Sequence, residues 1–279
     1  MKKFICALLS MLMLISMTAF AEGDLLTSVQ EKGEIVVATE GAWAPWTYHD
    51  ENDKLVGFDV EVAEAIAAKL GVVVRFEECP WDSIFAGLDA GRYDIAANGI
   101  ELTEERAEKY NFSTPYGYIR TALIVRGDNE EITCFEDLEG KSTANSIAST
   151  YMTLAESYGA TAVGVDTLDQ TIEMVLSGRA DATLNAEVSF YDYIAVHPDA
   201  NVKIVALTDE ASHVVIPVRK GEENDSMLAA INTAIAELIE EGELSRISIK
   251  YFGTDITIAP EAVDATTEAT AETTETTEE

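Results

Sequence analysis

The chain has 279 residues, of which 47% are hydrophobic, and a formal net charge of −33 at pH 7. This length is sufficient for two ordinary domains, and the apolar content is sufficient for globular cores over most of the chain. The negative charge argues against nucleic acid and anionic membrane surfaces as partners, because both are bound through basic patches.

The first residues have the pattern of a secretory signal peptide. Lysines at positions 2 and 3 precede an apolar segment over residues 4–17, which is too short to span a bilayer comfortably. An Ala-x-Ala triplet ends at Ala21, so we expect cleavage after that residue; an uncleaved anchor is the alternative. Cys6 lies too early for a lipoprotein cleavage site, so we expect an exported protein without a lipid anchor.

The first predicted strand leads into an aromatic loop. Residues 34–39 have the apolar, β-branched composition of a buried strand, and Glu40, Trp43 and Trp46 follow it. Ligand pockets favour aromatic walls with a few polar groups, so the indole rings are candidates for the wall of a pocket. The alternative is ordinary packing in the core or at its rim.

A helix is predicted after Gly57, with apolar residues on one face as far as Leu70. Asp59 stands near its start and is expected to be its N-cap, which is a structural role. Trp81 then opens the next short helix.

The segment from Asn98 to Arg106 combines several features of a binding turn. It follows an apolar strand, turns at Gly99, and presents the carboxylate of Glu101 and the guanidinium of Arg106. In open α/β sheets ligands bind outside the carboxyl ends of the strands, and arginine offers a planar fork that fits a carboxylate. Thr103 is a plausible N-cap for the helix that contains Arg106. The alternative is an arginine paired to a glutamate on a solvated helix.

A second copy of this junction occurs later in the chain. Residues 91–98, GRYDIAAN, are similar to residues 178–185, GRADATLN, and each copy follows an amphipathic helical pattern. Two similar strand ends that are far apart in sequence predict two similar lobes facing one cleft, although chance similarity is the alternative. Cys79 and Cys134 then belong to different lobes, so we expect two unpaired thiols.

Ser149 and Thr150 precede a predicted helix over about 151–158. Hydroxyls and free amides at a helix N-terminus favour an anion, and a simple Ser/Thr N-cap explains the same residues. A strand over 214–218 is expected to return the chain to the first lobe. From about Thr254 the sequence is rich in Thr, Glu and Ala without aromatic residues, and we expect a disordered acidic tail over 254–279.

No pattern for catalysis or for a metal or other cofactor is present. His49, His197 and His213 are isolated from each other and from cysteine, and there is no phosphate-binding loop. No serine or cysteine stands in a recognisable nucleophile setting. We therefore predict no cofactor and no enzymatic activity.

Residues 33–253 resemble the polar amino-acid family of extracytoplasmic solute-binding proteins that serve ABC importers, family 3. The resemblance is carried by eight segments in the expected order: 44–46 APW, 57–60 GFDV, 80–83 PWDS, 91–94 GRYD, 103–106 TEER, 112–116 FSTPY, 138–141 LEGK and 251–253 YFG.

The resemblance implies an α/β, two-lobed periplasmic-binding-protein-like fold of type II. Each lobe has a mixed sheet flanked by helices, and two strands form the hinge. The implied organisation is a signal peptide over 1–21, a first lobe over 22–118 and 214–253, a second lobe over 119–213, and the tail.

The resemblance also implies the ligand-binding residues. In the family an arginine at the position of Arg106 binds the α-carboxylate, helped by amides near Gly99 and a hydroxyl at Thr150. Aromatic residues at Trp43 and Trp81 stack on the side chain of the ligand. The full set of expected ligand-binding residues is Arg106, Glu101, Gly99, Asn98, Thr150, Ser149, Trp43, Trp46, Trp81, Glu40, Asn185 and Glu187.

Two departures from the family pattern concern the ammonium group of the ligand. The family often has Ser or Thr where this chain has Glu101, and it usually has Asp where this chain has Ala186. Our hypothesis is that Glu101 replaces the missing acid from the other lobe. The alternative is a ligand with extra positive charge or one that is not a standard α-amino acid.

The function that follows is capture of a small zwitterionic amino acid and its delivery to an ABC permease in the membrane, by a protein expected to be a monomer. One alternative is an exported dehydratase-type enzyme on the same fold, with Glu101 or Glu187 as general acid. Another is a ligand-sensing partner of a membrane receptor. Turnover of a cyclohexadienyl acid would favour the enzyme, and a neighbouring gene for a lone kinase would favour the sensor.

Overall fold

The computed structural model describes residues 23–259. The expected signal peptide, with its cleavage after Ala21, and residues 260–279 of the expected acidic tail lie outside the described residues. Within 23–259, no helix has both the length and the apolar character needed to cross a bilayer.

The first lobe is built on a parallel sheet of three strands, in which Glu34–Thr39 lies between Val73–Glu78 and Ile95–Ala96. Its central strand is a buried β-branched run, as the sequence predicts. The elements up to the hinge are α1 Leu25–Lys32, β1 Glu34–Thr39, β2 Ala42–Trp43, β3 Thr47–His49, β4 Leu55–Val56, α2 Phe58–Leu70, β5 Val73–Glu78, α3 Ile84–Asp89, β6 Ile95–Ala96, α4 Glu104–Lys109 and β7 Tyr110–Phe112.

The second lobe is built on a mixed sheet of five strands. Its elements are β9 Thr121–Arg126, β10 Ser142–Ser146, α5 Thr150–Ser157, β11 Thr161–Val165, α6 Leu168–Leu176, β12 Ala182–Ala186, α7 Glu187–Val196 and β13 Val202–Leu207. The strand order is β11-β10-β12-β9-β13; β10, β11 and β12 are parallel, and β9 and β13 are antiparallel to their neighbours.

Two antiparallel strands connect the lobes, as the resemblance implies. They are β8 Gly117–Ile119 and β14 Ser212–Val214, and the chain then returns through β15 Pro217–Arg219, which pairs with β7. The helices α8 Asp225–Glu240 and α9 Glu243–Phe252 complete the first lobe. Apolar side chains of α8 and α9 pack in the core with those of α2.

The repeated junction has the same contact in both lobes. Asp94 accepts a hydrogen bond from the backbone N–H of Val36 at 2.8 Å, and Asp181 accepts one from the N–H of Ser142 at 2.8 Å. In each lobe the aspartate therefore ties the turn to the neighbouring parallel strand. The similarity of the two segments has a structural cause.

Asp59 is not the N-cap of α2, so that prediction is wrong. The helix begins at Phe58 after Gly57, whose φ of 137° and close approach to the Trp46 carbonyl leave no space for a Cβ atom. Asp59 is instead fully buried, where its carboxylate accepts hydrogen bonds from the N–H of Gly99 and from the hydroxyl of Tyr116. Burial raises the pKa of Asp59 to about 7.

The packed part of the chain continues beyond the expected start of the tail. Ile256 is buried, its N–H donates to the Ser248 hydroxyl at 2.8 Å, and its carbonyl accepts from the N–H of Tyr118 at 2.7 Å. Tyr118 belongs to the hinge strand β8, so Ile256 lies against the hinge. This buried residue, with both backbone groups bonded, anchors a segment in which Ile258 remains exposed.

Within residues 23–259, Cys79 and Cys134 are both free thiols. Cys79 follows β5 of the first lobe, and Cys134 lies between β9 and β10 of the second.

Candidate functional site

The two lobes face each other across a cleft that contains a cavity. Both lobes contribute to its wall, and all of the residues predicted to bind a ligand line it except Trp46 and Glu187. The lining residues are Glu40, Ala42, Trp43, Trp81, Asn98, Gly99, Glu101, Arg106, Ser146, Ser149, Thr150, Tyr151, Asp166, Thr167, Leu168 and Asn185.

Arg106 is held at the cavity without an acidic partner. Its guanidinium donates to the backbone carbonyl of Glu101 at 2.9 Å and lies over the rings of Trp81 and Phe85, 5.4 and 5.1 Å from their centroids. No carboxylate in residues 23–259 lies within 4.0 Å of it, and Glu105 of the same helix pairs with Lys109 instead. The alternative of a solvated Arg–Glu pair is therefore wrong. Burial lowers the pKa of Arg106.

The N-terminus of α5 forms the opposite wall. The Ser149 hydroxyl accepts from the N–H of Met152 at 3.1 Å, which is an ordinary N-cap, and Thr150 is the first helical residue. The N-cap and the anion-site interpretations of these two residues are therefore compatible with each other: Ser149 caps the helix, and the positive end of the helix dipole lies at the cavity.

Glu101 is a buried carboxylate between the lobes, with only 6% of its surface exposed. It lies beside the hydroxyls of Ser212, Thr150 and Tyr151, and burial raises its pKa. Its position is fixed by the hinge. The N–H of Leu102 donates to the carbonyl of His213 in β14 at 2.9 Å, and the N–H of Val215, which follows β14, donates to the carbonyl of Ile100 at 2.9 Å.

Tyr151 lines the cavity, although the sequence did not single it out. Its side chain is 6% exposed, and its hydroxyl is buried without a hydrogen-bond partner in residues 23–259. An aromatic residue in the first turn of a helix is usually a core residue. The sequence signal that could have identified Tyr151 as a site residue is its position directly after Thr150.

Two carboxylates face each other at the other end of the cavity, Glu40 from the first lobe and Asp166 from the second. The burial of Glu40 and the nearby charge of Asp166 raise the pKa of Glu40 to about 7. Asn98 fixes this corner: its Oδ1 accepts from the N–H of Glu40 at 2.8 Å and from the hydroxyl of Thr47 at 2.9 Å. Asn98 is fully buried and holds the strand ends together.

The three tryptophans have different roles. Trp43 and Trp81 are half-buried and line the cavity. Trp46 has no exposed surface and does not line it; its ring stacks on Trp43 at 5.3 Å and its Nε1 donates to the Ser189 hydroxyl at 3.0 Å. The prediction that Trp46 belongs to the ligand-binding set is therefore corrected, because the loop turns between the two rings and directs the second one into the core.

Glu187 also lies outside the cavity lining. Its two carboxylate oxygens accept from the Arg120 guanidinium at 3.1 and 2.9 Å, so its charge is already paired at the start of α7. Asn185, two residues earlier in strand β12, lines the cavity, and its Oδ1 accepts from the N–H of Ala186 at 2.9 Å.

Residues 35–254 match the family of bacterial extracellular solute-binding proteins, family 3. The chain belongs to this family.

Curated relatives and solved structures agree with this assignment. An L-cystine-binding protein of Bacillus subtilis is 38% identical, over 90% of this chain and 98% of the relative. A probable amino-acid ABC transporter-binding protein of Haemophilus influenzae is 38% identical, over 84% of this chain and 91% of the relative. The structure of an ancestral arginine-binding protein bound to arginine superposes with a TM-score of 0.74 and 36% identity, covering 79% of this chain and 99% of the other.

Members of this family are extracellular binding proteins, and these relatives bind amino acids. The predicted fold, with two lobes and a twin-strand hinge, is confirmed. No group of three or more His, Cys, Asp or Glu side chains suited to a metal ion occurs in residues 23–259.

Proposed function

We propose that this protein captures an amino acid in the interlobe cavity and delivers it to an ABC permease, after export and cleavage of the signal peptide behind Ala21. The observation that carries this proposal is the Arg106 guanidinium, which lies without an acidic partner opposite the helix N-terminus at Thr150, across one cavity. A small carboxylate between them receives hydrogen bonds from both lobes. No catalytic step is required of the protein.

Ligand binding favours closure of the lobes for a simple energetic reason. A ligand that touches groups of both lobes binds the closed state more tightly than the open state, and so shifts the population toward closure. Arg106 and Glu40 belong to the first lobe, and Thr150 and Asp166 to the second. We propose that the permease recognises the closed form of a monomeric binding protein.

The charges of the cavity favour a ligand with a second positive group. The charged residues of its lining are three carboxylates, Glu40, Glu101 and Asp166, and one guanidinium, Arg106. A neutral zwitterion leaves an excess of negative charge in the closed site, and like charges brought together are unfavourable. Arginine, which is bound in one of the similar structures, carries a cationic side chain, and cystine, named for one relative, carries a second ammonium together with a second carboxylate and is neutral overall. We therefore propose a cationic amino acid as the ligand, with cystine as the candidate that would place its second ammonium, rather than a net positive charge, beside these carboxylates.

A thermal-shift screen tests both parts of this proposal. A ligand that binds only the native state raises the melting temperature by mass action. We expect shifts from L-arginine, L-lysine, L-ornithine or L-cystine, and a smaller shift from L-citrulline, which has the shape of arginine without the charge. Equal shifts from arginine and citrulline would contradict the charge argument alone, whereas no shift from any amino acid would contradict the proposed function.

Binding of a cationic amino acid near pH 7 is expected to release protons. The pKa of Glu40 is raised to about 7 in the protein without ligand, and a bound cation favours the ionised carboxylate and lowers that pKa. Affinity should therefore rise between pH 6 and pH 8. Calorimetry in phosphate and in Tris, whose ionisation enthalpies differ, measures the released protons.

The matched control for this experiment is Glu40→Gln, which keeps the shape of the side chain. It should remove most of the proton release and flatten the rise of affinity with pH. Unchanged proton release in this variant would show that another group, such as the Glu101 carboxyl, whose pKa is also raised by burial, is responsible.

A further inference from the structure

Two polar groups of the cavity wall, the Glu101 carboxylate and the Tyr151 hydroxyl, are buried, and each residue is only 6% exposed. The carboxylate of Glu101 has no Lys, Arg or His nitrogen within 4.0 Å among the residues that the structure describes, since Arg106 donates to its backbone carbonyl instead. Within the same residues, the hydroxyl of Tyr151 has no hydrogen-bond partner. Both side chains line the cavity, so a ligand is the available source of partners.

The two groups approach each other from opposite lobes. Glu101 follows the turn at Gly99, and the N–H of Val215 donates to the Ile100 carbonyl at 2.9 Å, which joins that turn to the hinge. Tyr151 is the second residue of α5. Burial and the nearby Glu101 raise the pKa of Tyr151 well above its usual range, so the hydroxyl stays protonated and keeps its ability to donate.

Energetics select the chemistry of the missing partner. A buried carboxylate that makes no ion pair is costly, and so is a buried hydroxyl without a hydrogen bond. An ammonium group has three N–H donors. It can donate to the Glu101 carboxylate and to the Tyr151 oxygen at once, while the Tyr151 hydroxyl donates to the carboxylate.

The Arg106 guanidinium and the Glu101 carboxylate are close enough to interact electrostatically, as the two charged groups of one α-amino acid require of their partners. Arg106 is bonded to the carbonyl of Glu101, so the group that binds a carboxylate lies next to the acid. The α-carboxylate and the α-ammonium of an amino acid are likewise attached to one carbon atom. On the second lobe Ala186 is fully buried and carries no acid, so that lobe supplies no carboxylate at this position.

We propose that the Glu101 carboxylate and the Tyr151 hydroxyl together form the subsite for the α-ammonium group of the ligand. In this arrangement the acid comes from the first lobe and Tyr151 completes the subsite when the cavity closes. The proposal rests on the proposed function, and it adds Tyr151 as a specificity-determining residue. Tyr151 also links ammonium recognition to closure, because it belongs to the opposite lobe.

The test is calorimetry of Glu101→Gln, Tyr151→Phe and the double variant with L-arginine and L-cystine, and with 5-guanidinopentanoate, which is arginine without its α-ammonium. We expect Glu101→Gln to weaken amino-acid binding about tenfold or more and Tyr151→Phe by roughly three- to tenfold. The effects should be less than additive in the double variant, because the two groups share one partner. The two single variants should bind 5-guanidinopentanoate as the unaltered protein does.

Tyr158→Phe is the matched control, since Tyr158 ends the same helix and stacks on Phe135 at 5.4 Å, away from the cavity. Melting curves without ligand show that each variant folds. An unchanged amino-acid affinity in Tyr151→Phe, or a raised affinity in Glu101→Gln, would overturn the subsite. Unaltered protein that binds neither arginine nor cystine, nor any other amino acid of the thermal-shift screen, would instead overturn the proposed function.

Discussion

Replacement of Arg106 by alanine is expected to weaken amino-acid binding by at least about thirtyfold. Removing one partner of a buried, hydrogen-bonded charge pair costs about 2–5 kcal/mol, because the other charge stays buried without a partner. Here that other charge is the α-carboxylate of the ligand. Calorimetric titration of the variant with the amino acid that gives the largest thermal shift measures the loss.

Two further variants locate the cause of this effect. Arg106→Lys keeps the charge and loses the planar donor fork, so we expect an intermediate affinity. Arg92→Ala removes an exposed arginine at the end of α3, beside Tyr93 and outside the cavity, and should bind normally. If Arg106→Ala binds as tightly as Arg92→Ala, then Arg106 is not the carboxylate ligand.

Replacement of Trp46 by alanine is expected to lower the free energy of unfolding by about 3–5 kcal/mol. The ring has no exposed surface and packs against Trp43, Phe58 and Phe252 with centroid distances of 5.3, 5.5 and 4.9 Å. Loss of so large a buried side chain leaves a cavity that the surrounding core fills only in part. Urea unfolding monitored by circular dichroism measures the change.

Trp81→Ala makes the contrasting variant with the same change of side chain. Trp81 is half-buried at the cavity and lies beneath the Arg106 guanidinium at 5.4 Å. We expect a stability loss well below that of Trp46→Ala, together with weaker ligand binding, because the wall and the support of Arg106 are both removed. A Trp81 variant that binds ligand normally but unfolds as easily as the Trp46 variant would contradict the role of Trp81 in the cavity wall and make it a core residue like Trp46.

The sequence by itself determined the family, the fold and most of the cavity wall. Its evidence was local: a buried strand ending at a glycine turn, the repeat over 91–98 and 178–185, and a capped helix start at Ser149. These signals are reliable because strand ends and helix caps place their own residues, and because the aspartate of each repeat bonds to the adjacent strand in the same way.

Only the tertiary structure decided which side chains reach the cavity and which are already satisfied elsewhere. Trp46 enters the core, Glu187 pairs with Arg120, and Asp59 holds the Gly99 amide instead of capping its helix. Tyr151 reaches the cavity with a hydroxyl that has no hydrogen-bond partner in the described part of the chain. The physical reason is that each outcome depends on a partner 40 or more residues away or on the opposite lobe, and no local pattern specifies such a partner.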